Sequence, residues 1–197
     1  MGTRGTYGFF SNTKVKLTYN HFDSMPEALG KEIVAFIRNV EKEKGWDKLR
    51  IAVDAVTMVD ENGKMTEPEA QRYFPKKKSF PKLPTWYEAL HTYQGGKILP
   101  ALYSGEISHM TEGKDFPKNS NFCEYCYIID LNTMTFDVYI GQQKTPDPNS
   151  FFGDKKNDEG YYPVRYVATW YLDSIPEDWE KQVAEIVKNQ GKAKKAA

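Results

Sequence analysis

Four side chains of types that often carry chemistry lie together near the start of the chain. They are Asn20, His21, Asp23 and Ser24, and they follow a strand-like segment and stand just before Pro26. A histidine close to a carboxylate suits general acid–base chemistry, because the pKa of a free imidazole lies near neutral pH. The sequence therefore predicts a polar site in this segment. In that site Asn20, His21 and Asp23 would act in catalysis, and Ser24 would contact the ligand.

The same segment also has a purely structural interpretation. Asp and Ser side chains commonly accept hydrogen bonds from backbone N–H groups where a strand turns into a helix. Under this alternative the polar residues 20–24 join a strand to a helix and perform no chemistry. The residues themselves leave both interpretations open.

Arg4 is the only charged residue among the first ten. An isolated guanidinium at such a place either pairs with a carboxylate or binds an anionic ligand. We predict that Arg4 forms an ion pair with Asp23 across the hairpin, or that it is a ligand-binding residue that contacts an anion.

The elements that would position this site follow from hydrophobic periodicity. Residues 6–10 and 14–19 predict a hairpin, and a helix should follow from Pro26 to about Gly45. Its apolar face recurs at helical spacing and consists of Leu29, Ile33, Phe36, Ile37 and Val40. Residues 49–59 are rich in β-branched side chains and predict a strand, although Ala52 and Ala55 leave a helix possible.

The second half of the chain predicts one more helix after Pro84, a hairpin over 122–140, a strand over 161–172 and a closing helix from about 174. Residues 141–160 are dense in Pro, Gly, Asn and Asp and predict a long loop or flap. This order favours an α+β fold, a layered sandwich with a largely antiparallel sheet, an N-terminal hairpin and a C-terminal helix. We expect one domain over residues 1–190, followed by a disordered basic tail over 191–197.

Composition narrows the functional class. The chain has 197 residues, with 27 acidic and 27 basic side chains, so the basic excess typical of nucleic-acid binding is missing. No apolar run approaches the ~18 residues that span a bilayer. We therefore expect a cytoplasmic protein without nucleic-acid or membrane partners. The basic run at residues 76–78 predicts a solvated loop.

The sequence predicts no metal site and no cofactor. Cys123 and Cys126 have the spacing of a redox or zinc motif, but they lie within a predicted strand and no second pair accompanies them. Buried structural thiols are the favoured interpretation. The histidines His91 and His109 are isolated in the sequence and predict surface or core positions.

Two segments carry a resemblance to a known family. The runs MGTRG at residues 1–5 and YNHFDSMPEALG at 19–30 resemble the opening of an uncharacterised family of phage and bacterial proteins. The run FCEYCYIIDL at 122–131, followed by FDVYIG at 136–141, is similar to that family's second signature. The resemblance covers about a quarter of the chain and implies no particular activity.

The layout also resembles the N-terminal-nucleophile hydrolases, which begin in a strand and place an Asp or Asn after the second one. In such enzymes the first residue attacks through its hydroxyl or thiol, and its own α-amine serves as the base. The resemblance implies that Thr3 would be the nucleophile, with Asn20 and Asp23 as its partners. Gly2 has no side chain to attack with, so Thr3 could act only after a further cleavage.

Two functions from different classes follow. The first is a hydrolase of small molecules or amides centred on the chain start, or a degenerate relative of one. The second is a binding protein without catalysis, which captures a host protein or a small ligand.

Overall fold

The computed structural model describes residues 2–148 and 150–196, with side chains described as far as residue 189. The strands, in chain order, are β1 (Gly5–Ser11), β2 (Lys14–Asn20), β3 (Thr57–Val59), β4 (His109–Thr111), β5 (Tyr125–Asp130), β6 (Thr135–Ile140) and β7 (Arg165–Tyr171). The α-helices are α1 (Lys31–Lys42), α2 (Trp46–Ala55), α3 (Glu67–Tyr73), α4 (Trp86–Leu90), α5 (Ile98–Ser104) and α6 (Trp179–Ala196). A π-helical turn, Pro26–Gly30, precedes α1, and short 3₁₀ turns occupy His91–Tyr93, Gly95–Lys97 and Phe116–Lys118.

Five strands form the main sheet in the order β2-β1-β5-β6-β7. Strand β1 pairs antiparallel with β2 and parallel with β5, and the β5–β6 and β6–β7 pairs are antiparallel. Strands β3 and β4 form a separate parallel pair. The predicted α+β class, the largely antiparallel sheet, the N-terminal hairpin and the C-terminal helix are confirmed.

The two faces of the main sheet are covered differently. On one face, Tyr7, Phe9, Tyr127 and Phe136 form a continuous apolar core with the buried residues of the helices. On the other face lies a smaller cluster, which the connecting segments cover: Leu17, Cys123, Cys126, Ile128, Tyr139 and Val164. The layers are therefore helices, sheet and loops, since the helical core is confined to one side.

The helix predicted from Pro26 is present, and all five residues of its predicted apolar face are buried. Its first turn packs against the last helix. A Cβ atom at Gly30 would lie only 2.6 Å from Cη2 of Trp179. Glycine at this position therefore lets the π-helical turn and α6 approach closely.

The strand predicted over 49–59 is wrong for most of its length. Residues 46–55 form α2, in which Leu49 and Val53 are buried one turn apart while Ile51 is 72% exposed. This burial has the helical period, and the β-branched residues misled the interpretation because their preference for strands is weak. Only Thr57–Val59 is extended, as β3.

Two polar contacts tie α2 to the first hairpin. The Asp54 carboxylate accepts hydrogen bonds from Ser11 Oγ at 2.7 Å and from Asn12 Nδ2 at 3.0 Å. Lys16, only 7% exposed, donates from Nζ to the carbonyl oxygens of Val53, Asp54 and Val56 at 2.7, 3.0 and 2.8 Å. The ammonium group thus satisfies carbonyl groups at the C-terminal end of α2, where a helix leaves acceptors without intrahelical donors.

The long connection between β6 and β7 packs on the loop-covered face of the sheet. The ring of Phe152 contacts the ring of Tyr139, with centroids 5.5 Å apart, and Phe151 contacts Phe10 at 5.6 Å. Helix α6 continues to Ala196 through the segment for which the sequence predicts a disordered tail. Because the side chains beyond residue 189 and all of Ala197 lie outside the described residues, disorder of the tail stays a prediction.

The Lys16 contacts lead to a test of stability. We expect Lys16→Met to lower the free energy of unfolding by about 2–4 kcal/mol, because it leaves buried carbonyl groups without a donor. Urea unfolding monitored by circular dichroism would measure this change. Lys14→Met, at an exposed position of the same strand, should change stability little. Equal stability of the two variants would contradict a structural role for Lys16.

Candidate functional site

The corner after β2 holds two of the predicted site residues in a fixed arrangement. Asn20 is buried and donates from Nδ2 to the hydroxyl of Ser24 at 2.8 Å and to the carbonyl of Phe22. Ser24 is fully buried. These side chains are therefore engaged with each other and with the backbone, as the structural interpretation of this segment requires.

The backbone of Ser24 anchors the corner to the main sheet. Its N–H donates to the carbonyl of Thr3 at 3.0 Å, and its carbonyl accepts from the Tyr127 hydroxyl at 2.8 Å. A Cβ atom at Gly5 would lie 2.8 Å from Cβ of Ser24, so the glycine allows this close contact. Thr3 thus takes part in the corner through its carbonyl group.

Asp23 and His21 lie on the solvent side of the same corner. Asp23 has φ of 52°, in the left-handed region that Asp tolerates better than most residues, and its carbonyl accepts from Leu29 N at 3.0 Å. The Nδ1 atom of His21 lies 2.7 Å from the Tyr19 hydroxyl. The ring of His21 also contacts that of Phe22, with centroids 4.2 Å apart.

The predicted ion pair between Arg4 and Asp23 is absent from the ion pairs of the described residues. The backbone of Arg4 instead pairs with Glu124, whose N–H donates to the Arg4 carbonyl at 2.8 Å. This pairing places the guanidinium over the ring of Phe122, 5.2 Å from its centroid. Burial raises the pKa of Tyr19, and the positive charge of Arg4 opposes that shift.

Three neighbouring concavities follow strand β2 and its connections, and we call them together the β2 groove. The first is a cleft of about 280 Å³ lined by Asn20, Phe22, Asp23, Ala28, Leu29, Glu32, Gln94 and Gly95. The second is a cavity of about 30 Å³ lined by Tyr7, Thr18, Tyr19, Glu61, Tyr87, Leu90, His91, Tyr93, Gln94, Ile98 and Thr111. The third is a cleft of about 320 Å³ around residues 112–119. Gln94 lines the first two, and Tyr19, Glu61 and Thr111 line the last two.

The inner wall of the groove is rigidly held. The buried Tyr7 hydroxyl donates to the carbonyl of Gly95, and Glu32 Oε2 accepts from Gly96 N at 2.6 Å. Burial raises the pKa of Tyr7, with a further contribution from the Glu32 charge. Gly95 has φ of 75°, which favours glycine. These bonds connect β1, α1 and the 3₁₀ turn behind the first cleft.

The outer rim comes from α4 and the turn after it. Helix α4 begins with a capping box in which Glu88 and Thr85 bond reciprocally. The rings of Tyr87 and His91 stack, with centroids 5.2 Å apart. Tyr93 donates to Glu106 Oε1 at 2.7 Å, and this hydrogen bond, with burial, raises the pKa of Tyr93 to about 12.

The sequence analysis did not predict the rim. Trp86 and Leu90 are buried in the core, whereas Tyr93 is only partly buried. The i, i+4 spacing of Tyr87 and His91 was the available signal for an aromatic outer face.

His109 occupies a second polar cluster, away from the groove. Its Nδ1 lies within hydrogen-bond distance of the Tyr73 hydroxyl, at 2.9 Å, its Nε2 lies 3.8 Å from Glu69 Oε1, and its ring packs on Trp86. Burial lowers the pKa of His109, and the neighbouring Arg72 adds to that shift while Glu69 opposes it. The cluster fastens α3 to β4 around a neutral imidazole.

The remaining candidates have structural surroundings. Cys123 and Cys126 are free and buried, as predicted, and burial raises the pKa of Cys126 to about 12. No group of three or more His, Cys, Asp or Glu side chains within the described residues is arranged to hold a metal ion.

Comparison with known proteins assigns neither a family nor a function to the chain. No family model matches the chain, and neither a curated protein nor a solved structure matches it. Its resemblance to the phage and bacterial family and to the N-terminal-nucleophile hydrolases stays a prediction from the motifs. Among residues 2–148 and 150–196, no helix has the length and apolar character needed to cross a membrane.

The His109 cluster predicts a pH dependence of stability. The pKa of His109 in the folded state is lowered below that of the unfolded chain, which is about 6.5. Folding therefore favours the neutral imidazole, and stability should fall as the pH drops through about 6.5. Urea unfolding between pH 7.5 and 5.5 should show a smaller loss for His109→Phe than for the original protein.

His21→Gln is the matched control, since His21 is exposed, and its pH profile should follow that of the original protein. If His109→Phe shows an unchanged profile, the imidazole of His109 does not govern the acid sensitivity.

Proposed function

We propose that this protein binds a small ligand in the β2 groove and does not catalyse its conversion. The observation that carries the proposal is the groove itself, in which two clefts of about 280 and 320 Å³ adjoin one tyrosine-lined cavity. Clefts of roughly 300 Å³ and above with aromatic walls and a few polar groups are typical of ligand sites. The groove combines a rigid inner wall with an exposed rim, an arrangement suited to capture.

The contacts at the corner favour binding over hydrolysis. A hydrolase would need Asn20 and Ser24 free to meet a substrate, yet Asn20 Nδ2 bonds to Ser24 Oγ at 2.8 Å and both residues are buried. The hydrolase hypothesis also requires a chain processed to begin at Thr3. It therefore stays a prediction with less geometric support than the binding function.

The proposal includes a cytoplasmic location, in the host cell if the protein is encoded by a phage. Its support is that Cys123 and Cys126 are free thiols, which is the usual state of cysteines in a reducing compartment. The balanced composition of 27 acidic and 27 basic residues gives no reason to expect nucleic acid as the partner. A host protein is a less favoured occupant than a small ligand, because the groove is made of separate concavities of small volume.

A substitution that fills part of the groove tests the proposed binding function. Gln94 is exposed and lines both the first cleft and the cavity, so Gln94→Trp should fill their junction without disturbing the core. We expect fragments that bind the original protein to lose more than about tenfold in affinity, or about 1.4 kcal/mol. Titration of ¹⁵N-labelled protein with a chemically diverse fragment set, followed by NMR, measures both affinity and location.

Gln71→Trp is the matched control, at an exposed position of α3 outside the groove lining. It should bind every fragment as the original protein does. Fragments that bind equally well to Gln94→Trp, or that shift only resonances elsewhere, would refute the groove as the binding site.

A further inference from the structure

The cavity of the β2 groove is walled by tyrosine rings. Tyr7, Tyr19, Tyr87 and Tyr93 all line it, and Tyr87 is 50% exposed, so its ring is accessible. The face of an aromatic ring carries negative charge density and attracts ammonium and guanidinium groups within about 6 Å. An aromatic wall of this kind suits a cationic ligand.

His91 adds a hydrogen-bond acceptor to the same wall. Its Nδ1 lies 3.0 Å from the carbonyl oxygen of Tyr87 and 3.1 Å from that of Glu88. Because both neighbours accept only, we assign the proton of the neutral imidazole to Nδ1. Nε2 of His91 is then an acceptor for an N–H group of the ligand.

The first cleft and the cavity are lined by carboxylates without a lysine or arginine. Asp23 and Glu32 line the first cleft and Glu61 lines the cavity, while no lysine or arginine is among the described residues that line either one. None of these three carboxylates takes part in an ion pair within the described part of the chain. The guanidinium of Arg4 lies outside the lining and acts on the hydroxyl of Tyr19. In the third cleft, by contrast, Lys114 pairs with Glu112.

The backbone of Glu61 is fixed beside the aromatic rim. The carbonyl of Glu61 accepts from Tyr87 N at 2.8 Å, and the turn that carries Glu61 is closed by the bond from Gly63 N to the Asp60 carbonyl at 2.9 Å. Glu61 and Tyr87 are thus fixed neighbours. A positive group near Tyr87 would meet both a ring and a carboxylate.

Two other classes of charged ligand fit less well. A divalent metal ion needs several converging oxygen or nitrogen ligands, and the described residues form no such group. A phosphate or carboxylate would face Asp23, Glu32 and Glu61, whose three negative charges outnumber the one guanidinium, that of Arg4, beside Tyr19.

We propose that the ligand of the β2 groove is an organic cation, with a primary ammonium or guanidinium group bound against Tyr87 and next to Glu61. Asp23 and Glu32 extend the negative lining into the first cleft, so a second positive group along the same ligand is favoured. This inference rests on the proposed binding function and names the chemical class of its ligand.

Agmatine, which carries a guanidinium and an ammonium group, is the probe, and N-butylurea and glutarate are the neutral and anionic comparisons. Isothermal titration calorimetry should show saturable binding of agmatine and none of the other two at the same concentration. Glu61→Gln and Asp23→Asn should each weaken agmatine binding about fivefold, the effect expected for one partly exposed ion pair. Added salt should weaken binding as well, because it screens charges.

Glu185→Gln is the matched control, since it removes one negative charge from an exposed position of α6. It should leave agmatine binding unchanged. Equal binding of agmatine and N-butylurea, or an equal loss in Glu185→Gln and Glu61→Gln, would overturn the cationic class.

The same measurements separate the two proposals. Binding of glutarate or a neutral fragment that Gln94→Trp abolishes would keep the groove as a binding site and refute only the ligand class. Failure of every fragment to bind at the groove would refute the binding function and the ligand class together.

Discussion

The parallel pairing of β1 with β5 is the constraint on which the rest of the structure depends. Parallel neighbours cannot be joined by a tight turn, and the hairpin strand β2 lies between β1 and β5 along the chain. Strand β2 ends and β5 begins opposite Gly5, at the same end of the sheet, so the chain after β2 returns to the end that it left. The connection between them carries five of the six helices and both strands of the small second sheet. These elements pack beside β1 and β2, and the β2 groove forms where they meet the first hairpin.

Strand β2 and the corner after it show that side chains of types that often carry chemistry can instead form structural hydrogen bonds. Asn20, Ser24 and Lys16 are polar and buried, and each makes the hydrogen bonds that burial demands. Residue type and spacing alone cannot distinguish such groups from catalytic ones, because burial and partners decide the difference. The groups that remain open to a ligand, such as Tyr87 and Glu61, stand on elements that connect β2 to β5.

The local elements of the fold were predictable from the sequence. The two hairpins, the helix after Pro26 and the closing helix follow from turn residues and hydrophobic period, whereas residues 49–55 were misassigned because short apolar runs fit either period. The strand order could not be predicted from the sequence, because it depends on pairs such as Tyr7 with Tyr127, which lie far apart in the chain. The groove could not be predicted from the sequence either, because the residues that line it, such as Tyr7, Tyr19 and Tyr87, come from three separate elements.

The contact between Gly30 and Trp179 has a consequence for synthesis on the ribosome. The π-helical turn near the start of the chain packs against Trp179 of the last helix. Strand β1 gains its parallel neighbour β5 only after residue 125 has been synthesised. The edge of β1 that pairs with β5, and the surface of the first helical turn that Trp179 contacts, therefore stay exposed while most of the polypeptide is translated. Nascent chains with exposed strand edges and apolar surface are vulnerable to aggregation, and this part of the core forms late in synthesis.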